Sequence, residues 1–487
     1  MNKERYVMIK EVIGKVSQVF LLTDRDSDGC LAGAIGSKVL SDTNIKFTLL
    51  PSETGTVRGV GKEELHDILV DTDEEECFLI ITADQGSSDH EIYEELKEAR
   101  HNAIIWVTDH HEIEDEERLL KTIDYFNNPH SATSEMNKNY SGATVLYKVL
   151  ESIMTDNKPF CKALAAISNI TDMMSQLDEE NRQMYKESEY YFLQIPLLKA
   201  ILKDSKLTVP HSRFIGMKVG AVLNTGYRSP RGGIETAIEA LLGDSKAIAK
   251  IRQLNIIRKR TVNDLIDYVK PQLKASKFLL PELQLLITQP QHKTFNGLLC
   301  SRVGYDLKVP TIALSILGDT LSGSARAIQD IPLLSILKEI SNESPSLGLE
   351  AKGHEAALGI NVARSEDGLK NLVNSLKEKL AKHDYKELTE YDKINGDDIT
   401  NTVTDISKNH PYGNFNKYPS HEISDMIIVK ASKFKAMSFI TFSNSKGEEY
   451  TSISFSKLKD VEVGDKVTVN CTIEVDSNVT FAVESIK

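Results

Sequence analysis

Residues 103–112 read AIIWVTDHHE. Ala103 to Val107 are apolar, and they lead into a threonine, an aspartate and two adjacent histidines. A short apolar run rich in β-branched and aromatic residues has the pattern of a buried strand. Three other runs share it: QVFLLTD (18–24), IKFTLLP (45–51) and CFLIITAD (77–84). Helix-like segments such as GCLAGAIGSKVLS and SDHEIYEELKEAR lie between them. Such alternation predicts an α/β domain, a mostly parallel sheet with helices on its faces. Asp24, Asp84 and Asp109 each close a strand. Ligands of open α/β sheets bind outside the carboxyl ends of the strands, so three carboxylates are expected at one crevice.

The first strand runs into TDRDSDG, where Asp24, Asp26 and Asp28 alternate ahead of Gly29. Carboxylates this close repel one another unless a cation lies among them. A calcium loop opens the same way but needs a glutamate six positions after its glycine, and that residue is Ile35. A helix N-cap cluster is the structural alternative. The aspartates of TADQG and the histidines of TDHH, all after strands of one sheet, favour a metal site. Oxygen and imidazole donors suit manganese, with magnesium, cobalt or zinc as alternatives, and not a thiolate site.

The remainder of the chain divides by texture. Residues 141–270 carry apolar residues at helical spacing, as in SGATVLYKVLESIM and CKALAAISNITDMM. A second α/β unit is expected from about residue 278, with PELQLLITQ and PTIALSIL as strands. A polar stretch (386–421) reads as a linker, and residues 422–487 read as short strands split by turns, the pattern of a small OB-like β-barrel. The expected domains are therefore 1–195, a helical connector 196–277, 278–385, the linker and 422–487.

The net charge of −13 argues weakly against a nucleic-acid partner. Residues 246–277 oppose this, with Lys246, Lys250, Arg252, Arg258, Lys259, Arg260, Lys270, Lys274 and Lys277 against only Asp264 and Asp267. This is either a basic binding stripe or a solvated helix face. No apolar run reaches the roughly 18 residues of a membrane span, and the first residues lack the pattern of a signal peptide. Five dispersed cysteines without a CxxC pair indicate neither a disulfide framework nor a zinc knuckle. A cytoplasmic protein is expected.

In order, DRDSDG, ADQG, DHH and Asp172 in ISNITDMM resemble the four motifs of the DHH phosphoesterase superfamily. LNTGYRS (223–229), LNIIRKR (254–260), NGLLCSR (296–302), SGSARA (322–327), KGHEAALG (352–359) and HPYGNFNKYP extend the resemblance to its RecJ-type single-strand exonucleases. The resemblance implies a DHH catalytic domain, a DHH-associated substrate domain and a two-metal phosphodiesterase using Mn²⁺, with Mg²⁺ or Co²⁺ as alternatives. Asp84 would bridge the ions, Asp26 would hold the first, and Asp28, His110 and Asp172 the second. His111 would face the scissile phosphate, with Asp109 orienting a histidine. Many members carry a histidine where this chain has Leu22, which makes Asp24 the candidate replacement. Ser324, Arg326, His354 and, more weakly, Arg302 would bind substrate. The implied substrate is single-stranded nucleic acid, DNA before RNA, degraded from the 5′ end in recombination or repair, with a helicase or single-strand-binding protein as a partner. In the barrel, Phe434, Phe439, Phe442, Tyr450 and Phe455 either fill the core or are stacking candidates, with Lys433, Lys435, Lys457 and Lys459 nearby. Two rival readings remain: a phosphodiesterase for short oligonucleotides or cyclic dinucleotides, and an inert strand-binding protein.

Overall fold

The computed structural model describes residues 9–52, 59–205, 210–228, 233–275, 283–307, 309–328, 331–355, 357–382, 391–412, 416–434, 437–454, 461–475 and 479–487. They form two compact units, Met1–Asn255 with Tyr391–Lys487, and Ile256–Glu390.

The first unit opens with strands β1 (Gln18–Thr23), β2 (Lys46–Pro51), β3 (Leu79–Ala83), β4 (Ile104–Thr108) and β5 (Tyr125–Asn127). All run parallel, in the order β2-β1-β3-β4-β5. The four expected strands are present. The fifth was not expected, because three residues are too few to display a period. Between the strands lie helices α1 (Ser27–Ser41), α2 (Lys62–Val70), α3 (His90–Ala99) and α4 (Glu116–Thr122). Both faces of the sheet are covered. Val19, Leu21, Leu79 and Ile81 pack on one side with Leu31 and Ile35 of α1. Phe20, Leu22, Ile80 and Ile105 pack on the other with Leu65, Tyr93 and Leu119. Two-sided burial explains why these strands read as continuous apolar runs and do not alternate.

Helices α5 (Gly142–Leu150), α6 (Lys158–Thr171), α7 (Glu179–Phe192), α8 (Pro196–Ser205) and α9 (Gly233–Leu242) follow. Leu197, Ile201, Ala237 and Leu241 are buried in the same core as β1 and α1. Helices α8 and α9 thus belong to the core of the sheet domain, although they were expected in a connector. The boundary between the units falls inside the long helix α10 (Ser245–Ala275). Along it Lys246, Lys250, Lys259, Arg260 and Lys270 are exposed, Arg252 pairs with Asp204, and Leu265 and Val269 are buried.

The second unit holds β6 (Gln284–Thr288), β7 (Thr311–Leu317), β8 (Thr320–Arg326), β9 (Glu350–His354) and β10 (Ala357–Ala363), in the order β6-β7-β8-β10-β9. Only β6 and β7 are parallel. Helices α11 (Asn296–Leu307), α12 (Leu333–Glu343) and α13 (Glu366–Leu380) complete it.

The chain then returns to the first unit. The expected linker contains β11 (Asp392–Asn395) and helix α14 (Ile399–Lys408). β11 pairs in parallel with β12 (Ser420–Phe434), and Ile399, Ile406 and Tyr412 are buried in the barrel core. At roughly 1.5–3 kcal/mol per buried aliphatic side chain, two isoleucines suffice to dock a polar segment. β13 (Met437–Ser443), β14 (Glu449–Ser454), β15 (Lys466–Val475) and β16 (Val479–Ile486) follow, and β12 pairs with β15 to close an OB-like barrel. Phe442 and Tyr450 fill the barrel core against Phe481, so they offer no face to a base. Phe439 is half-buried. Phe455, Lys435, Lys457 and Lys459, and the side chains of Lys433 and Phe434, lie outside the described residues.

The barrel domain is clamped to the sheet domain. Arg182 donates to the carbonyls of Asn409 and His410, and Ser212 Oγ donates to the Tyr412 carbonyl at 2.6 Å. Arg213 pairs with Glu474. The His410 ring lies 5.4 Å from that of Tyr185. Burial, together with the charges of His211, Arg182 and Lys186, pushes His410 down to about 4, from an ordinary value of 6.5. A histidine depressed in the folded state stabilises the fold above pH 6.5, and that stability is lost as pH falls towards 4. At about 1.4 kcal/mol per unit, the loss should approach 3 kcal/mol. Thermal melts between pH 7 and pH 4.5 should show a steeper fall for the wild type than for His410→Gln. Parallel curves would rule this out.

Candidate metal centre and substrate face

The register of the sheet assembles the site. Thr23, Ala83, Thr108 and Asn127 are level across β1, β3, β4 and β5. The next residues are Asp24, Asp84, Asp109 and Asn128. They continue the ladder, because Asp24 N donates to the Ala83 carbonyl, Asp84 N to Thr108 and Asp109 N to Asn127, at 3.0–3.2 Å. With strands about 4.8 Å apart, the three carboxylates lie side by side at the carboxyl edge. Asp24 and Asp84 sit where the strand order reverses direction, the position open α/β sheets use for ligands.

Around this row stand the other expected ligands. His110 Nε2 lies 3.3 Å from Asp84 Oδ1, 3.4 Å from Asp172 Oδ2 and 3.7 Å from Asp28 Oδ2. Asp24, Asp26 and Asp84 bring a second set of oxygens within 4.8 Å of one another, and His111 joins Asp84 and His110 in a third, overlapping group. Asp26 is also the N-cap of α1, accepting from the amides of Asp28 and Gly29. The cap and metal readings therefore coexist in one side chain. Leu22 is 1% exposed and packs in the core with Val60 and Leu65.

Helix ends aim several of these groups. Asp28 accepts from Gly142 N at 2.7 Å and Ala143 N at 2.9 Å, the free amides at the start of α5, and from Ser168 Oγ. The α5 helix approaches closely because its first residue is glycine. A Cβ on Gly142 would come within 2.6 Å of the Asp84 Cα. Asp84 itself has φ 64°, and Met173, after Asp172, has φ 60°. Left-handed backbone at non-glycine residues costs about 1–3 kcal/mol and clusters at functional sites.

Electrostatics point the same way. Burial, reinforced by Asp26, raises Asp28 to about 6. Burial, then Asp28 and the other aspartates, raises Asp84 and Asp172 well above the usual carboxylate range. Asp84 Oδ1 and Asp172 Oδ2 are buried with no hydrogen-bond donor among the described residues. Acceptors without donors, crowded like charges and an oxygen–imidazole donor set fit divalent cations. Asp109 behaves differently. Burial would raise it, but the His111 charge and hydrogen bond hold it well below the usual range. Burial opposes the charge on His111, yet Asp109, bonded to its Nδ1 at 2.8 Å, raises it to about 10. Asp109 thus favours the protonated form of His111.

The second unit carries the other candidates. Gly297 is the second residue of α11, and a Cβ there would come within 2.7 Å of Arg326 Nη2 and 3.5 Å of Ser324 Oγ. The guanidinium and hydroxyl therefore both lie near the start of α11, which continues directly from a 3-10 turn at Pro290–Phe295, and a guanidinium suits an anion. Asn296 ties that terminus to the sheet through Thr288 and Ser315. His354 pairs with Ala357, which pairs with Arg326, so all three share one row. The His354 side chain lies outside the described residues. Arg302 is exposed on α11, five residues and hence about 140° around the helix from Gly297. The sequence reading assigned no role to Ser87, Asn128, Gly142 or Ser168. Their importance depends on register and helix placement.

Residues 18–174 match the family model described as "DHH family, N-terminal domain". That segment is a DHH domain. The DHH motif proper is Asp109-His110-His111. Over 402 residues the chain is 25% identical to YorK, an SPbeta prophage-derived protein of Bacillus subtilis, covering 73% of this chain and 65% of the relative. It is 24% identical over 376 residues to the single-stranded-DNA-specific exonuclease RecJ of Escherichia coli, covering 71% and 63%. The chain thus spans less than two thirds of these relatives' length. The crystal structure of RecJ in complex with Mn²⁺ from Thermus thermophilus superposes with a TM-score of 0.76 at 18% identity, over 99% of this chain and 71% of that one. The chain shares that fold. No helix among the described residues is long and apolar enough to cross a membrane.

Proposed function

We propose that this protein is a RecJ-like exonuclease that hydrolyses single-stranded DNA from its 5′ end, using two divalent cations, in recombination or repair. One observation carries the reading: Asp24, Asp26 and Asp84 on one side, and Asp28, His110 and Asp172 on the other, converge at the sheet edge with Asp84 between them. Asp24, Asp26 and Asp84 would hold one ion; Asp28, His110, Asp172 and Asp84 would hold the other. The ions would supply an activated water and charge stabilisation for the leaving oxygen. Asp109 fixes His111 through its Nδ1, leaving the opposite ring edge to donate a hydrogen bond to the scissile phosphate. Ser324 and Arg326 would grip a backbone phosphate, and His354 would approach the same strand. Mn²⁺ is the proposed ion, with Mg²⁺ and Co²⁺ as substitutes. The protein would act in the cytoplasm.

The test is digestion of 5′- and 3′-labelled single strands, duplexes and two- to five-mers with Mn²⁺. Mononucleotides released from the 5′ end of long single strands are the expected products. Equal attack on duplex, release from the 3′ end, or turnover confined to the short oligomers would overturn the reading. Arg326→Ala should raise KM for strands about 10- to 100-fold, the worth of a charged hydrogen bond. Arg326→Lys should recover only part of it, because lysine lacks the planar fork.

A further inference from the structure

The row of residues past the strands has a fourth member with no assigned role, Asn128. It is 1% exposed. Its Nδ2 donates to Ser87 Oγ at 2.8 Å and to the His111 carbonyl at 2.9 Å. Its Oδ1 accepts from His130 N at 2.7 Å. Each amide hydrogen thus serves a different loop, one after β3 and one after β4. The circuit closes on itself: Ser87 N donates to Asp109 Oδ2 at 3.0 Å, and Asp109 Oδ1 takes His111 Nδ1. His111 is therefore held at both ends, ring by Asp109 and backbone by Asn128. Its side chain is 40% exposed, so packing alone does not fix it.

We propose that Asn128 is a positioning residue for His111, holding the imidazole where the phosphate is met. The inference rests on the phosphodiesterase reading given above. Aspartate has the shape of asparagine but no donor. Asn128→Asp would keep the bond from His130 N and lose the one to the His111 carbonyl, setting a carboxylate against that oxygen. No described contact joins Asn128 to a proposed metal-ligand side chain. The loss therefore falls on kcat, and the Mn²⁺ midpoint and the KM for strands stay as they are.

The experiment is a double-mutant cycle on labelled single-strand hydrolysis with saturating Mn²⁺, using the full chain, His111→Ala, Asn128→Asp and the double variant. Ser87→Ala, which removes one link without adding charge, is run beside them in case Asn128→Asp does not fold. Asn128→Asp should lower kcat about 10- to 100-fold, the usual cost of losing a supporting partner, and Ser87→Ala should lower it less. In the His111→Ala background both effects should fall below about 3-fold, since residues acting through one another are not additive. An unchanged kcat, a loss of equal size with and without His111, or a shifted Mn²⁺ midpoint overturns the proposal. If the wild type fails to cleave, or His111→Ala cleaves at the wild-type rate, the phosphodiesterase reading falls instead.

Discussion

Asp84→Asn should lower hydrolysis of a 5′-labelled single strand by at least about a thousand-fold, or about 4 kcal/mol of barrier. Asp84 is the carboxylate shared by two of the three candidate ligand groups, and it faces His110, a member of the third, at 3.3 Å. An amide oxygen there is a neutral, weaker donor to a hard cation, so both proposed ion positions would suffer at once. The same substitution should make the cation-free protein more stable. Asp84 is buried, and Asp28, Asp26, Asp24 and Asp172 all oppose its charge. Removing one buried carboxylate from this cluster relieves that repulsion, by on the order of 1 kcal/mol. Melts in chelator would show the variant unfolding later than the wild type. An inactive variant that also melts earlier would mean that Asp84 matters for folding and not for the ions.

Withdrawing divalent cation should abolish hydrolysis and lower the stability of the first unit together. Binding to the native state alone stabilises by about 2.7 kcal/mol at a hundred times Kd. The wild type should therefore melt several degrees later with excess Mn²⁺ than in chelator, with activity returning on the same titration. Asp84→Asn should lose most of that shift. The second unit should not respond, since the groups able to hold an ion among the described residues all lie in the first. A melting temperature indifferent to Mn²⁺, Mg²⁺ and Co²⁺ would remove the metal centre and the mechanism with it.

Much of this was legible in the chain. Four strands were readable because burial on both faces leaves uninterrupted apolar runs. The aspartates were readable as a set because three of those runs end in one. Other elements were not. β5 is three residues long, and α14 shows only Ile399, Val403 and Ile406 in a polar stretch. Phe442 and Tyr450 could not be assigned to core or surface, because barrel aromatics look alike until the strands are paired. In the second unit the composition announced strands, but not that β8, β9 and β10 run antiparallel.

The sequence by itself determined the parallel α/β class, the closing β-barrel and the identity of the acidic and histidine groups, since residue type and period are local properties. Only the tertiary structure decided how those groups divide. It set Asp24 beside Asp26 and Asp84, enclosed Leu22 in the core, and held Asp109 on His111. It also made Asn128 level with Asp109. Such assignments depend on strand register and helix phase, where one residue of slip turns a ligand into a core side chain, and no local pattern records them.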